Sequence, residues 1–163
     1  MMKKQPNSYY CFVCGMKNIG GVRVAFYEDH DADGRGEVLA RFTGRDEHQG
    51  YPGRMHGGVI TGILDETIGR AINIGDSPDA PMVWGVTIEL NVQFHKPTPL
   101  GVELTARGRI QQEERRLFIG TGELYLPDGE VAASATGTYI KMALEEISDI
   151  EVDAEVLGWR VYE

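Results

Sequence analysis

The sequence is poor in the features that mark several protein classes. It has two cysteines in 163 residues, too few for the disulfide framework of a small secreted domain. No apolar run approaches the roughly 20 residues that a membrane helix needs. The opening MMKKQPNSYYCFVC has two lysines but no apolar core of signal-peptide length, so a cytoplasmic location away from membranes is expected. Bases are scarce: 16 Lys and Arg stand against 25 Asp and Glu, a formal net charge of −9. That argues against a general nucleic-acid binder, which needs a basic face. The deficit is uneven. Residues 143–163 carry seven acids and one base, Arg160, which leaves the rest of the chain near neutral and open to a polyanionic ligand. Internal repeats and low-complexity segments are absent too.

What is present fits one soluble domain. Hydrophobic residues make up 42% and charged residues 25%, enough for a core that needs no metal or disulfide framework. VRVAFY (22–27) alternates like a strand, HDADGRG (30–36) is a turn, and EVLARFT (37–43) returns as the second arm of a hairpin. Residues 44–58 hold five glycines and no periodicity, the composition of a loop with special backbone demands. Residues 59–74 have a helical period that Gly75-Asp76-Ser77-Pro78 stops. Four β-type segments follow residue 82, with Pro127-Asp128-Gly129 as a strong turn between the last two. Two strands, one long helix and a four-strand meander predict an α+β fold with an antiparallel sheet. Small residues at Gly120, Gly122, Ala132, Ala133, Ser134, Ala135 and Gly137 permit close backbone approach.

On a helical wheel Ile60, Ile63, Leu64, Ile68, Ala71 and Ile74 form one broad apolar stripe. Gly58, Gly62, Gly69, Asn73 and Asp65 form the opposite face, nearly bare except for a carboxylate. Glycine costs about 1 kcal/mol against alanine inside a helix, so a close neighbour is expected there. The helix starts at His56-Gly57-Gly58. Free N–H groups at such a start suit an anion or a developing oxyanion, and a tight loop-to-helix turn would explain the glycines as well. Asp65 follows Gly57 by eight residues, about 12 Å along the axis. One copy of the helix does not easily bring both to one carbonyl, so a composite site in a dimer is favoured. Glu66 and Arg70, four apart, read as a helix ion pair.

Cys11 and Cys14 make a single C-x-x-C. Tetrahedral zinc normally takes two such pairs or added histidines, and the histidines are His30, His48, His56 and His95. A turn with small buried thiols is the expectation, with no metal and no cofactor. Arg107, Arg109, Arg115 and Arg116 lie on or near one strand–turn–strand and suit either phosphates or a solvated hairpin.

HQGYPGRMHGGVITGILDETIG (48–69) resembles the hotdog-fold acyl-CoA thioesterases of the phenylacetate type. VTIELNVQFHKPTPLG (86–101) is similar to that family's strand after the helix, and CFVCGMKNIGGVRVAFY (11–27) to a subset of its members. The resemblance implies a long helix wrapped by a curved antiparallel sheet, in a homodimer or homotetramer. It covers residues from about 11 to 142, within a division into a turn-rich segment (1–20), a hotdog domain (21–142) and an acidic extension (143–163) that lies outside the match, with Trp159 and Tyr162 expected to anchor that extension. It also implies hydrolysis of an acyl-CoA without a cofactor. Carried over residue by residue, the Gly57 N–H polarises the carbonyl together with Gly58, and Asp65 of a partner is general base or nucleophile. His56 orients the substrate, and the Thr87 hydroxyl places water. Gly50 stands where many relatives have Asn, which leaves His48 or Gln49 for that polar contact. Glu66 and Asn91 complete the expected substrate contacts.

Two other functions compete. A hotdog dehydratase would need an acid about fourteen residues after its loop histidine, and from His48 that position is Gly62. A non-catalytic acyl-CoA-binding protein would keep the pocket but have no need of Asp65.

Overall fold

The fold is taken from a computed structural model that describes residues 2–81, 83–148, 158 and 160–162. Among these, β1 (Lys3–Lys4), β2 (Ala25–His30), β3 (Gly36–Thr43), β4 (Trp84–Phe94), β5 (Glu103–Glu113), β6 (Leu117–Tyr125) and β7 (Val131–Met142) form one antiparallel sheet in the order β1-β2-β3-β5-β6-β7-β4. Helix α1 (Gly57–Gly69) runs on into a 3₁₀ turn, Arg70–Asn73, and packs across β4, β5, β6 and β7. A long helix in the grip of an antiparallel sheet is the hotdog architecture that the resemblance implies.

The apolar stripe is what places the helix. Ile60, Ile63, Leu64, Ile68 and Ala71 are buried against Phe26, Val38, Leu104, Phe118 and Leu124 of the sheet. The small strand residues make room for that stripe. A Cβ on Gly120 would stand 2.5 Å from Ile68 Cγ2, and one on Gly122 would stand 2.9 Å from Ile68 Cγ1. Gly108 of β5 lies against the helix backbone itself, where a Cβ would be 2.6 Å from Thr67 O. The bare helix face also has neighbours: Val13 Cγ2 faces Gly62 at 3.6 Å, and the Tyr139 ring faces Gly69 at 3.4 Å.

These spacings predict opposite outcomes for two glycine substitutions. In Gly108→Ala the new methyl must push α1 off the sheet, an overpacking cost of about 2 kcal/mol. In Gly62→Ala the methyl meets only ordinary contact, and the better helix former adds about 1 kcal/mol. Urea unfolding should show a lowered midpoint for the first and a raised one for the second.

The structure differs from the sequence reading at three places. The first hairpin strand begins at Ala25 rather than Val22. Arg23 has φ 59, and Val22 and Val24 donate instead to the carbonyls of Phe12 and Val13. Residues 5–24 are thereby folded onto the core, with Asn7, Ser8, Val13 and Cys14 buried. The short β1 and the 3₁₀ turn Asp46–His48 are additions. In the extension, Leu144–Ile147 form one helical turn and Val161 bridges Asn7, while Tyr162 is 49% exposed. Trp159 lies outside the described residues.

Candidate active site

Asp65 lies in the second half of α1, on the face turned away from the isoleucines. Its side chain meets β4 and β7, where Thr87 and Tyr139 are cross-strand partners. Thr87 Oγ1 donates to Asp65 Oδ1 at 2.7 Å, and the Tyr139 hydroxyl shares its proton between the same oxygen and the Asp65 main-chain carbonyl, each at 3.1 Å. The pairing of β4 with β7 slips between Thr87 and Glu89, and such bulges re-aim side chains beside sites. Burial, with the Asp65 carboxylate alongside, holds the Tyr139 phenol above its ordinary range. Tyr139 thus stays protonated and keeps donating. Its ring stacks on Phe118 at 4.9 Å and lies over Gly137, where a Cβ would be 2.6 Å from it.

A cavity of about 260 Å³ opens beside this carboxylate. Asp65, Thr87, Tyr139, Trp84, Arg70 and Gln5 are among its walls. The Gln5 side chain is 4% exposed, and its Oε1 has no partner among the described residues. Cys11, Cys14 and Glu66 line it as well. Glu66 holds Arg70 at 2.7 Å, the ion pair that the spacing predicts, and accepts from Cys11 Sγ at 3.2 Å. The hydrogen bond from Cys14 lowers the Cys11 thiol below its ordinary value and raises that of Cys14.

His56, Gly57 and Gly58 do not line the cavity. His56 is the N-cap of α1, with ψ 135, and its Nδ1 accepts from Gly58 N at 2.8 Å. Val59 N and Ile60 N are taken by His56 O. The Gly57 N–H is the one left without a partner here among the described residues. The other expected contacts are dispersed. His48 is 1% exposed, and both ring nitrogens are engaged, with Arg45 N and Gly20 O at 3.0 Å each. Its role is to hold the loop. Gln49 accepts from Gly53 N at 2.9 Å. Asn91 is an exposed residue of β4 opposite Thr136. Gly50 packs closely on the turn, where a Cβ would stand 3.0 Å from His56 Cα. Arg107 and Arg109 are committed to Asp29, Glu37 and Glu123, and Arg115 and Arg116 sit exposed in the β5–β6 turn.

Tyr139 is a further residue of the site, one that no spacing in the sequence marks. The available signal was a lone aromatic with a polar tip in a strand of small residues, whose hydroxyl needs a partner when buried. Removing either donor tests the arrangement. Tyr139→Phe and Thr87→Val each delete one hydrogen bond to a charged group, worth about 1.5 kcal/mol or more, and so should lower kcat about tenfold with KM little changed. Steady-state kinetics on the two variants measure this.

A family model described as the thioesterase superfamily matches residues 52–133. Acyl-coenzyme A thioesterase THEM4 of Mus musculus is 32% identical over 111 residues, covering 67% of this chain and 45% of its own. THEM4 of Bos taurus is 25% identical over 138 residues, covering 84% and 53%. The chain spans about half the length of these curated relatives. Among solved structures, the thioesterase superfamily protein RHA08564 superposes with TM-score 0.65 at 29% identity, covering 80% of this chain and 62% of that one. The BH2602 protein of Bacillus halodurans, solved with CoA, has TM-score 0.57 at 27% identity, covering 71% and 72%.

Proposed function

The chain belongs to the thioesterase superfamily, and we propose that it hydrolyses an acyl-CoA thioester to the free acid and coenzyme A. The observation that carries the reading is the Asp65 carboxylate, oriented by two hydroxyls at the wall of a cavity. Thr87 and Tyr139 both bind Oδ1, which leaves Oδ2 for water or for the substrate carbonyl carbon. As a base, Asp65 takes a proton from water while the hydroxide adds to the carbonyl. The tetrahedral oxyanion collapses, the C–S bond breaks, and the thiolate recovers the proton. As a nucleophile, Asp65 adds to the carbonyl itself, expels the thiolate and forms an anhydride that water then cleaves.

The carbonyl oxygen is received by the Gly57 N–H, strengthened by the helix dipole. Gly58 contributes indirectly, because its N–H fixes the His56 ring and leaves His56 Nε2 to meet the substrate. Gly57 and Asp65 of one active site come from two chains. Their separation of about 12 Å along α1 favours it, and β4 offers the means. It is an eleven-residue strand at one end of the sheet order, with Ile88 and Phe94 more than half exposed. Among the described residues no strand lies on its outer side, and long edges of this kind invite pairing with a second copy. Gln49 and Asn91, both exposed, are left as contacts for the coenzyme outside the cavity.

Thiol release from a panel of short, medium, long and aromatic acyl-CoAs tests the reading. Release well above spontaneous hydrolysis for one class supports it and identifies the acyl group. Binding of acyl-CoA without release from any of them overturns it in favour of a non-catalytic acyl-CoA-binding protein.

A further inference from the structure

The cysteine pair has no part in the hydrolysis described above, yet it is built with care. Cys11 and Cys14 lie on the loop between β1 and β2, and Glu66 lies on α1. One ligand atom from each falls within 4.8 Å of the other two. The loop is wound so tightly that only glycine fits at residue 15, where a Cβ would be 2.2 Å from Cys11 O. Gly15 N closes the turn on Cys11 O at 2.8 Å, and Val13 N points at Cys11 Sγ at 3.4 Å. This C-x-x-C-G turn puts both sulfurs on one side, the bite that tetrahedral metals take from paired cysteines.

We infer that Cys11, Cys14 and Glu66 bind a divalent, thiophilic cation of the zinc type, which clips the N-terminal loop to α1. The third ligand is already aimed. Arg70 Nε and Nη2 hold Glu66 Oε1 at 2.9 and 2.7 Å, which turns Oε2 toward Cys11. Such outer partners orient metal ligands. Charge favours a divalent ion. Two thiolates, one carboxylate and the Arg70 guanidinium sum to minus two, which the cation cancels. Binding replaces the two thiol protons, which go to solvent, with two metal–sulfur bonds. The sulfur donors select against magnesium and calcium, which take oxygen. All three residues line the cavity beside Asp65, so water can complete the tetrahedron. The sequence alone hides this site because Glu66 stands 55 residues from Cys11 and its ion pair with Arg70 accounts for it cheaply.

The test is a cobalt titration of the metal-free chain, after thiol assay has shown both cysteines reduced and circular dichroism has shown the chain folded. Uptake of one equivalent is expected, with the thiolate charge-transfer and intense visible bands of tetrahedral cobalt, and with release of two protons in weak buffer. One equivalent of zinc should displace the cobalt. Cys11→Ser is the variant of choice because Cys11 is only partly buried, whereas Cys14 is 2% exposed and its loss endangers folding. It should weaken binding by at least ~100-fold, since loss of an outer-shell partner alone costs 10–100-fold. Glu66→Gln should weaken binding while keeping the charge-transfer bands. A reduced, folded chain that takes up no cobalt overturns the inference, as does uptake that Cys11→Ser leaves unchanged. Neither outcome bears on thioester hydrolysis, which is assayed separately.

Discussion

Asp65→Asn lowers kcat for thiol release by about 10²–10⁴-fold, the contribution of a positioned base. The substitution is close to isosteric. The amide oxygen still accepts from Thr87 and Tyr139, which donate to Oδ1 at 2.7 and 3.1 Å. The fold and KM should therefore change little, and the loss should fall on the chemical step. The cavity walls other than Asp65 are untouched. Rapid-quench mass spectrometry of the wild type separates the two mechanisms. An acyl group carried on Asp65 marks the nucleophilic route, and free acid formed without it marks the base. Activity within tenfold of wild type would remove Asp65 from the reaction. Glu66 is a poor replacement, since Arg70 and Cys11 already occupy both its oxygens.

Much of this arrangement is legible in the sequence because periodicity is a local property. The stripe Ile60, Ile63, Leu64, Ile68 follows from helical spacing alone, and all four are buried. The glycines of β6 read as close approach, and Ile68 fills the space above Gly120 and Gly122. The thioesterase resemblance of residues 48–69 and 86–101 agrees with the family match over residues 52–133. What stays hidden depends on contacts between distant segments. Tyr139 reaches Asp65 across 74 residues and only because a strand pairing puts it beside Thr87. His48 looks like a loop histidine available to substrate, but Gly20, 28 residues earlier, takes one of its nitrogens. No spacing rule links such pairs. The N-terminal segment is obscured for a different reason. Its backbone bonds to Phe12 and Val13 are irregular, and Arg23 adopts a left-handed φ that no alternation pattern announces.

Gly57→Pro removes one hydrogen atom from the reaction and little else, and should lower kcat by about 10²–10³-fold, the value of one oxyanion donor. Proline is at home in the first position of a helix, where the N–H has no intrahelical partner and φ suits the ring. The residue before a proline must be extended, and His56 already has ψ 135. A Cβ at residue 57 would sit 3.5 Å from the Phe94 ring, an ordinary contact. Folding should be intact by circular dichroism while thiol release collapses. The same variant tests whether two chains share each site. In a symmetric dimer the patches of the two chains meet reciprocally. If Gly57 of one chain serves Asp65 of the other, a mixed dimer of Gly57→Pro and Asp65→Asn chains has one site with both residues intact and one with neither. Refolding the two inactive variants together at equal amounts should then restore about a quarter of wild-type activity, since half of the dimers are mixed and each holds one working site. If both residues act within one chain, every site in the mixture lacks one of them and nothing is restored.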